Sequence, residues 1–279
     1  MTGQAMKIAL LQMNAGIDPA ANARALVDAV RAAAAGGADM LFTPEMSGCL
    51  DRDRERSGAV IVTEADDPVL AALRAAAREA GLWVHLGSLA LSDPASGKRR
   101  NRGFLIDAQG KIRARYDKIH LFDVDLPGGE SWRESNSYVG GNRAVMARTP
   151  WGNLGLTICY DLRFPDLYRA LSNAGTDIIS VPAAFTVPSG EAHWHVLLRA
   201  RAIESSAFIV ATAQVGLHED GRRTYGHSLV VDPWGTILLD AGTQPGLYWA
   251  DLPLDRIAEV RGRIPSLAHR RAIEDVVIS

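Results

Sequence analysis

Two kinds of segment alternate along this chain: short apolar runs bounded by glycine, proline or charged residues, and longer runs whose apolar residues recur at helical spacing. The short runs predict β-strands over residues 7–13, 39–43, 82–91, 102–107, 112–116, 144–147, 153–158, 178–181, 207–214, 228–233, 236–240 and 246–252. The longer runs predict helices over residues 20–35, 68–80, 165–174 and 191–205. This alternation, with hairpins interspersed, predicts a layered α/β fold with mixed sheets.

The connections between these segments are mostly short. Residues 121–141 are the exception, because this polar, glycine-rich stretch predicts a long loop, and loops of that length are often functional. No linker rich in proline, glycine or serine divides the chain, and it contains no internal repeat. We therefore expect a single domain over residues 1–279.

Composition limits the classes of function. The chain has 279 residues, 47% of them hydrophobic, which is enough to bury a full core, and its formal net charge of -2 gives no reason to expect a nucleic acid or an acidic membrane surface as a partner. Residues 1–13 are too short and strand-like for a secretory signal, and no apolar run reaches the roughly 18 residues of a membrane span. Two cysteines cannot form a disulfide framework. We expect a cytoplasmic protein.

Three reactive or charged residues directly follow predicted strands. They are Glu45, Lys118 and Cys159. Taken singly, a free cysteine is more often a small buried hydrophobic residue, and a glutamate or lysine after a strand is more often a solvated loop residue. Three such groups at the ends of three strands favour a functional role, because active-site residues of α/β folds gather at the carboxyl ends of strands.

Together these residues supply what a thiol needs to hydrolyse an amide. Cys159 would be the nucleophile, and Glu45 would take the thiol proton and return it to the leaving amine. Lys118 would stabilise the oxyanion and help lower the pKa of the thiol. The backbone N–H of Tyr160 would be a second hydrogen-bond donor to the oxyanion. The product of the first step would be a thioester acyl-enzyme, which water then hydrolyses. This chemistry needs neither a metal nor a cofactor.

Three segments carry a specific resemblance: Thr43-Pro44-Glu45, Tyr116–Phe122 and Ile158–Pro165. They are similar to the three signature segments of the nitrilase superfamily of carbon–nitrogen hydrolases, and they occur in the family's order. The similarity runs from Lys7 to about Arg271, which is essentially the whole chain.

The resemblance implies a four-layer αββα sandwich that dimerises through its helices. It also implies that Glu45, Lys118 and Cys159 form the family's Glu-Lys-Cys triad. The family places a second glutamate beside the lysine, and Glu134 fits that role, although without the resemblance it would be interpreted as an ordinary loop carboxylate.

Several strings resemble the branch of this family that contains deaminated glutathione amidase and ω-amidase, with the nearer match to the first. They are residues 120–125, 134–137, 192–194, 197–204 and 225–235. Both activities hydrolyse a simple amide of a substrate that also carries an α-keto carboxylate.

A carboxylate substrate needs a cationic partner, which an arginine can supply in a bidentate fork. Arg163 lies four residues after the nucleophile and is our candidate, with a bracing ion pair to Asp161 or Asp166 as the alternative. Phe185 and Thr186 follow the strand over residues 178–181 and could form a wall of the same pocket.

Other functions share these motifs. The same triad would serve a nitrilase that attacks a C≡N group, or an acyltransferase that uses the same thioester. A noncatalytic binding protein on this fold would be favoured by a missing triad residue, and none is missing.

Further histidines and the second cysteine are weaker candidates. His193 and His195 lie two residues apart, so they point to different sides of a helix and cannot chelate a metal together as an i, i+4 pair would. A Cys-His dyad with His120 or His227 is disfavoured because the family's Glu and Lys are present. Cys49 is interpreted as a bystander, and residues 51–56 as a solvated loop face near the pocket.

Overall fold

The computed structural model describes residues 5–125, 129 and 131–278. The strands have these bounds: Met6–Gln12 (β1), Met40–Phe42 (β2), Trp83–Asp93 (β3), Lys98–Ile106 (β4), Ile112–Asp117 (β5), Asp123–Asp125 (β6), Ser131–Arg133 (β7), Val145–Thr149 (β8), Gly152–Leu156 (β9), Ile178–Ser180 (β10), Phe208–Ala211 (β11), Val215–Leu217 (β12), Arg223–Tyr225 (β13), Leu229–Val231 (β14), Ile237–Asp240 (β15) and Gly246–Leu252 (β16). The helices are Pro19–Ala35 (α1), Arg54–Gly58 (α2), Pro68–Ala80 (α3), Pro165–Asn173 (α4), Val187–Ser189 (α5), His195–Ser205 (α6) and Asp255–Arg263 (α7).

Twelve of these strands form two six-stranded sheets. The first has the order β16-β1-β2-β3-β4-β5 and the second has the order β15-β14-β11-β10-β9-β8. In both sheets the central pairs are parallel and the outer pairs antiparallel, so the mixed sheets predicted from the sequence are confirmed.

Alternate residues of each strand face different layers, because side chains along a strand point to opposite sides of the sheet. In β1, Ile8 and Leu10 belong to a core shared with the second sheet, whereas Ala9 packs with Leu26 of α1 and Leu73 of α3. The core between the sheets extends to the helices on the far side, α4 and α6. The layers are thus helices, sheet, sheet and helices, and the predicted four-layer αββα sandwich is confirmed.

The sequence patterns missed several short elements. Helix α2 begins within residues 51–56, which were predicted to be a solvated loop, and extends to Gly58. The Asp53 carboxylate accepts hydrogen bonds from the N–H groups of Glu55 and Arg56 and so caps a helix too short to show periodicity. The hairpin of β12 and β13 and the C-terminal helix α7 were also not predicted.

Two longer predictions need correction. Residues 121–141 do not form one long loop, because β6 pairs with β7 and a single 3₁₀ turn follows over Glu134–Asn136; residues 126–128 and 130 of that segment lie outside the described residues. The helix predicted over residues 191–205 begins as a π-helical turn, Gly190–Trp194, and becomes α-helical only from His195. No helix in the described ranges is both long enough and apolar enough to cross a membrane.

Gly87, in β3, packs tightly against the residues that follow β2 and β10. A Cβ atom built on this residue would lie 2.2 Å from the carbonyl oxygen of Thr43, 2.4 Å from that of Pro44 and 2.5 Å from the Cβ of Pro182. Two of these atoms belong to the backbone, which cannot move aside as a flexible side chain can.

We predict that Gly87→Ala lowers the free energy of unfolding by about 3 kcal/mol, because the added methyl group overpacks a junction of backbone segments. Urea denaturation followed by circular dichroism measures this change. Gly262→Ala is the matched control, since Gly262 lies in α7 where an added Cβ would meet nothing within 4 Å, and alanine there should stabilise the helix by up to about 1 kcal/mol. Equal stability of the two variants would contradict the account.

Candidate active site

Four of the residues singled out in the sequence surround one cavity of about 370 Å³. Glu45, Lys118, Glu134 and Cys159 all line it. The Lys118 ammonium lies between the two carboxylates, 3.0 Å from Glu45 Oε1 and 2.9 Å from Glu134 Oε2. The fold therefore brings these side chains together at the ends of strands, as the sequence predicts.

Glu45 is held in place both through its backbone carbonyl and through its carboxylate. Its carbonyl oxygen accepts a hydrogen bond from Gln214 Nε2 at 2.9 Å, and its Oε2 accepts one from the backbone N–H of Ala184 at 2.9 Å. The following residue, Met46, has a positive φ of 56°, which ends the extended chain after β2. The carboxylate consequently has little freedom to leave the cavity.

Asn101, a buried residue of β4, bridges the carboxylates of Glu45 and Glu134 and also bonds the backbone of Lys118. The Asn101 side-chain NH₂ donates to Glu45 Oε1 at 2.8 Å and to Glu134 Oε1 at 3.3 Å, while its backbone carbonyl accepts the N–H of Lys118 at 2.9 Å. Glu134 also accepts the backbone N–H of Phe122 at 2.7 Å. Asn101 therefore fixes the separation of the two carboxylates on either side of the ammonium.

Cys159 lies in a strained backbone conformation at the start of the 3₁₀ turn Cys159–Arg163. Its φ is 51°, a left-handed value that is costly for a residue with a Cβ and that is often found at functional sites. Its N–H donates to the carbonyl of Pro182 at 2.9 Å. The turn projects the thiol out of the sheet and into the cavity.

Asp161 stabilises this turn from beneath. Its carboxylate is fully buried and accepts hydrogen bonds from the Ile158 N–H at 2.9 Å, the Tyr116 hydroxyl at 2.7 Å and the His120 N–H at 3.0 Å. These donors come from the two chain segments that carry Lys118 and Cys159. One carboxylate thus fixes the position of Cys159 relative to Lys118.

The charges of the site follow from its burial and its pairing. Burial alone would lower the pKa of the Lys118 ammonium, but Glu134 and Glu45 outweigh it and raise this pKa well above its ordinary value. Burial would raise the pKa of Glu45, yet Lys118 and the neighbouring hydrogen-bond donors hold it below its ordinary value. At neutral pH the site therefore contains an ammonium and an ionised Glu45.

The Cys159 thiol is neutral in this environment. Burial, followed by the charge of Glu45, raises its pKa well above the ordinary value, and Lys118 opposes this only in part. A protonated thiol next to an ionised carboxylate is the arrangement in which the carboxylate serves as a general base.

The predicted substrate-binding residues separate into two groups. Tyr160, Phe185 and Thr186 line the cavity, as expected. Arg163 is not among the residues that line it; its guanidinium carbon lies 5.5 Å from the centre of the Phe185 ring, and its Nη1 lies 3.2 Å from His193 Nδ1. Arg163 therefore supports the wall behind Phe185.

The alternative nucleophile partners lie elsewhere. His120 hydrogen-bonds Asp161 and stacks on Phe164 at a ring separation of 3.6 Å, and His227 lies beside Asp240. Neither lines the cavity. Cys49 does line it, but burial raises the pKa of its thiol to about 11, so it is a poor second nucleophile.

Sequence reasoning missed Asn101, the role of Asp161 and most of the cations around the cavity. Five arginines line it, one of them from β4, two from the segment before and at the start of α2, and two from the hairpin regions: Arg99, Arg52, Arg54, Arg133 and Arg222. The sequence marks Asn101 only weakly: it is an amide between two arginines, just before the apolar part of its strand.

Comparison with known proteins adds an independent observation. The family model described as carbon-nitrogen hydrolase matches residues 7–262. A protein of Synechocystis sp. named deaminated glutathione amidase is 50% identical over 177 residues, which are 63% of this chain and 65% of that protein. A protein of the same name from Bos taurus is 39% identical over 268 residues, which are 95% of this chain and 81% of that protein.

A solved structure agrees with the fold described above. The crystal structure of the NitFhit protein of Caenorhabditis elegans superposes with a TM-score of 0.89 at 35% sequence identity, covering 97% of this chain and 66% of that one. This chain thus spans about two thirds of the length of that protein and of the Synechocystis relative.

The electrostatics of the thiol generate a prediction. We expect Glu45→Gln to lower the pH at which the rate of Cys159 alkylation by iodoacetamide reaches half its maximum. The carboxylate that opposes thiolate formation is gone in this variant, while the Lys118 ammonium remains. The alkylation rate at pH 7.5 should rise several-fold, as measured by peptide mass spectrometry, which separates Cys159 from Cys49.

Glu134→Gln is the control for this experiment. Glu134 contacts Lys118 at the same distance as Glu45 does, within 0.1 Å, but its charge is not a main cause of the shifted pKa of Cys159. A larger change in Glu134→Gln than in Glu45→Gln, or slower alkylation in Glu45→Gln, would contradict the assigned charges.

Proposed function

This chain belongs to the carbon–nitrogen hydrolase family, and on that premise we propose that it is a thiol amidase that hydrolyses deaminated glutathione, a metabolite-repair reaction. The observation that carries the proposal is the arrangement of a neutral thiol, an ionised carboxylate and a buried ammonium around one cavity. The relatives named deaminated glutathione amidase support the choice of substrate.

The first half of the reaction forms the acyl-enzyme. Cys159 attacks the amide carbon while Glu45 accepts the thiol proton, and the carbonyl oxygen becomes an oxyanion. Lys118 and the N–H of Tyr160, at the amino end of the 3₁₀ turn, are placed to stabilise that oxyanion. The tetrahedral intermediate collapses when Glu45 returns its proton to the leaving amine, which leaves a thioester on Cys159.

The second half releases the acid. Glu45, again ionised, takes a proton from water as the water attacks the thioester, and Cys159 leaves with that proton. Glu134 remains an anion throughout and positions the Lys118 ammonium. We assign Glu45, Lys118 and Cys159 as catalytic residues and Glu134 as a positioning residue.

The cations around the cavity suit a substrate with two carboxylates. Arg99 donates to Ser57 and to a backbone carbonyl, and Arg133 and Arg222 form ion pairs with Asp125 and Asp220. Arg52 and Arg54 form no ion pair with any residue in the described part of the chain. Their guanidinium groups are therefore available for a carboxylate, and Arg163 contributes by supporting Phe185.

We also propose that copies of the chain associate through their helices and that the protein is cytoplasmic. Helix α6 exposes Val196 and Ile203, and the neighbouring turn exposes Trp234, which together form an apolar surface that a second copy could cover. The two free cysteines suit a reducing compartment.

Our first prediction for this function concerns turnover. Cys159→Ala should lower kcat for deaminated glutathione by at least about 1000-fold, because no thioester can form. In the wild type, rapid quenching followed by intact-protein mass spectrometry should reveal the thioester on Cys159. Full activity of Cys159→Ala would exclude the mechanism.

Substrate preference tests the specificity. We expect kcat/KM for deaminated glutathione to exceed that for α-ketoglutaramate by at least about tenfold, since only the longer substrate has a second carboxylate for the arginines. A strong preference for α-ketoglutaramate would assign the protein as an ω-amidase, and faster turnover of a matched nitrile would assign it as a nitrilase.

The double variant Arg52→Ala/Arg54→Ala should raise KM for deaminated glutathione about tenfold, because it removes the unpaired cations from the cavity wall. Arg24→Ala/Arg31→Ala is the matched control: it also removes two cations, both are exposed on α1, and neither lines the cavity. Equal effects of the two changes would show that general charge, and not the cavity cations, attracts the substrate.

A further inference from the structure

Two histidines and an aspartate meet at a point that the proposed mechanism does not use. His195 begins α6, His227 lies between β13 and β14, and Asp240 ends β15. One potential ligand atom of each lies within 4.8 Å of the other two. None of these residues lines the active-site cavity. This cluster therefore lies outside the cavity, behind the wall that Phe185 and Thr186 form.

The atoms that face one another are those that bind metals. The Asp240 carboxylate joins the two imidazoles, with Oδ2 at 2.9 Å from His195 Nε2 and Oδ1 at 2.8 Å from His227 Nδ1. The side chains of His195, His227 and Asp240 are 29%, 21% and 34% exposed, so a hydrated ion can reach them. We propose that this cluster binds one divalent transition-metal ion, of the zinc type, through one atom of each residue.

The backbone around His227 prepares it for such a role. Its φ is 55°, a left-handed value that is unfavourable for a residue with a Cβ and persists only where the surroundings hold it. Here its N–H donates to the carbonyl of Gly242 at 2.7 Å, and its carbonyl accepts Trp194 Nε1 at 2.8 Å. Its ring stacks on Tyr225 at 4.4 Å, which fixes the imidazole with Nδ1 toward Asp240.

The donor set selects the class of ion. Two imidazoles and one carboxylate suit zinc, copper or nickel, whereas magnesium and calcium prefer oxygen ligands. In a tetrahedral zinc site with bonds of about 2.0 Å the ligand atoms lie roughly 3.3 Å apart. An Asp–His pair now in hydrogen-bond contact would therefore open by about 0.5 Å, and no pair would have to close by more than about 1.5 Å, since all three atoms lie within 4.8 Å of one another. Asp240 Oδ1 also accepts the Gly242 N–H at 2.9 Å, the kind of outer hydrogen bond that orients a ligating carboxylate.

The consequence of binding is structural. The three ligands come from a helix, a loop and the edge strand of the second sheet, so a bound ion would add a link between the start of α6 and the edge formed by β14 and β15. The unfolded chain has no preformed site, so the ion should raise the melting temperature.

The test uses the full chain with the Cys159→Ala substitution, so that the active-site thiol cannot compete for the metal, after treatment with a chelator. Titration with zinc chloride in a calorimeter should show one zinc ion per chain and a rise in melting temperature. His195→Ala and His227→Ala should each weaken zinc binding at least about tenfold. Magnesium chloride should give neither effect.

His193→Ala is the matched control, because His193 is exposed, lies two residues before His195 and contacts Arg163 instead of the cluster. It should bind zinc as the parent does. Asp240→Asn, which keeps the shape of the side chain, should also weaken binding and guards against a folding defect in the alanine variants. The proposal is overturned if the parent binds no zinc, or if zinc binding survives unchanged in His195→Ala and His227→Ala.

Discussion

The active site depends on one buried ion cluster, in which the Lys118 ammonium is held between the carboxylates of Glu45 and Glu134. The lysine side chain is 2% exposed, so the cost of removing this charge from water must be offset within the cluster. Two carboxylates at hydrogen-bonding distance provide that compensation, and they raise the pKa of the lysine despite its burial. The ammonium in turn keeps Glu45 ionised, which a general base requires.

This arrangement also gives a reason for the second glutamate, because the proposed mechanism uses only one as a base. In the proposed mechanism Glu45 exchanges a proton, and while it is protonated it no longer compensates the charge of Lys118. Glu134 exchanges no proton in that mechanism and accepts additional hydrogen bonds from Phe122 and Asn101, so it would remain an anion beside the lysine throughout. The fixed carboxylate thus allows the other one to change its charge without leaving a buried ammonium unpaired.

Much of this site could be predicted from the sequence, because each catalytic residue lies within a continuous motif that follows an apolar strand. Asn101 could not be predicted, since its contact with Glu45 and Glu134 depends on how β4 and β5 pair, and strand register is not visible in the sequence. The arginine proposed for the substrate illustrates the same limit. Arg163 follows the nucleophile closely, but the turn directs its side chain behind Phe185.

In the fold, too, some elements could be predicted from the local sequence and others could not. Long periodic helices and apolar strands were predicted, whereas α2 and the hairpin of β6 and β7 were not, because these short, largely polar elements show neither a helical period nor an apolar run. These short elements contribute residues to the cavity wall, among them Arg54 and Arg133. The chemistry is therefore built on the ends of rigid strands, while the cations that face a substrate lie on short connecting segments. A family with this construction can keep one reaction and change its substrate by altering only those connections.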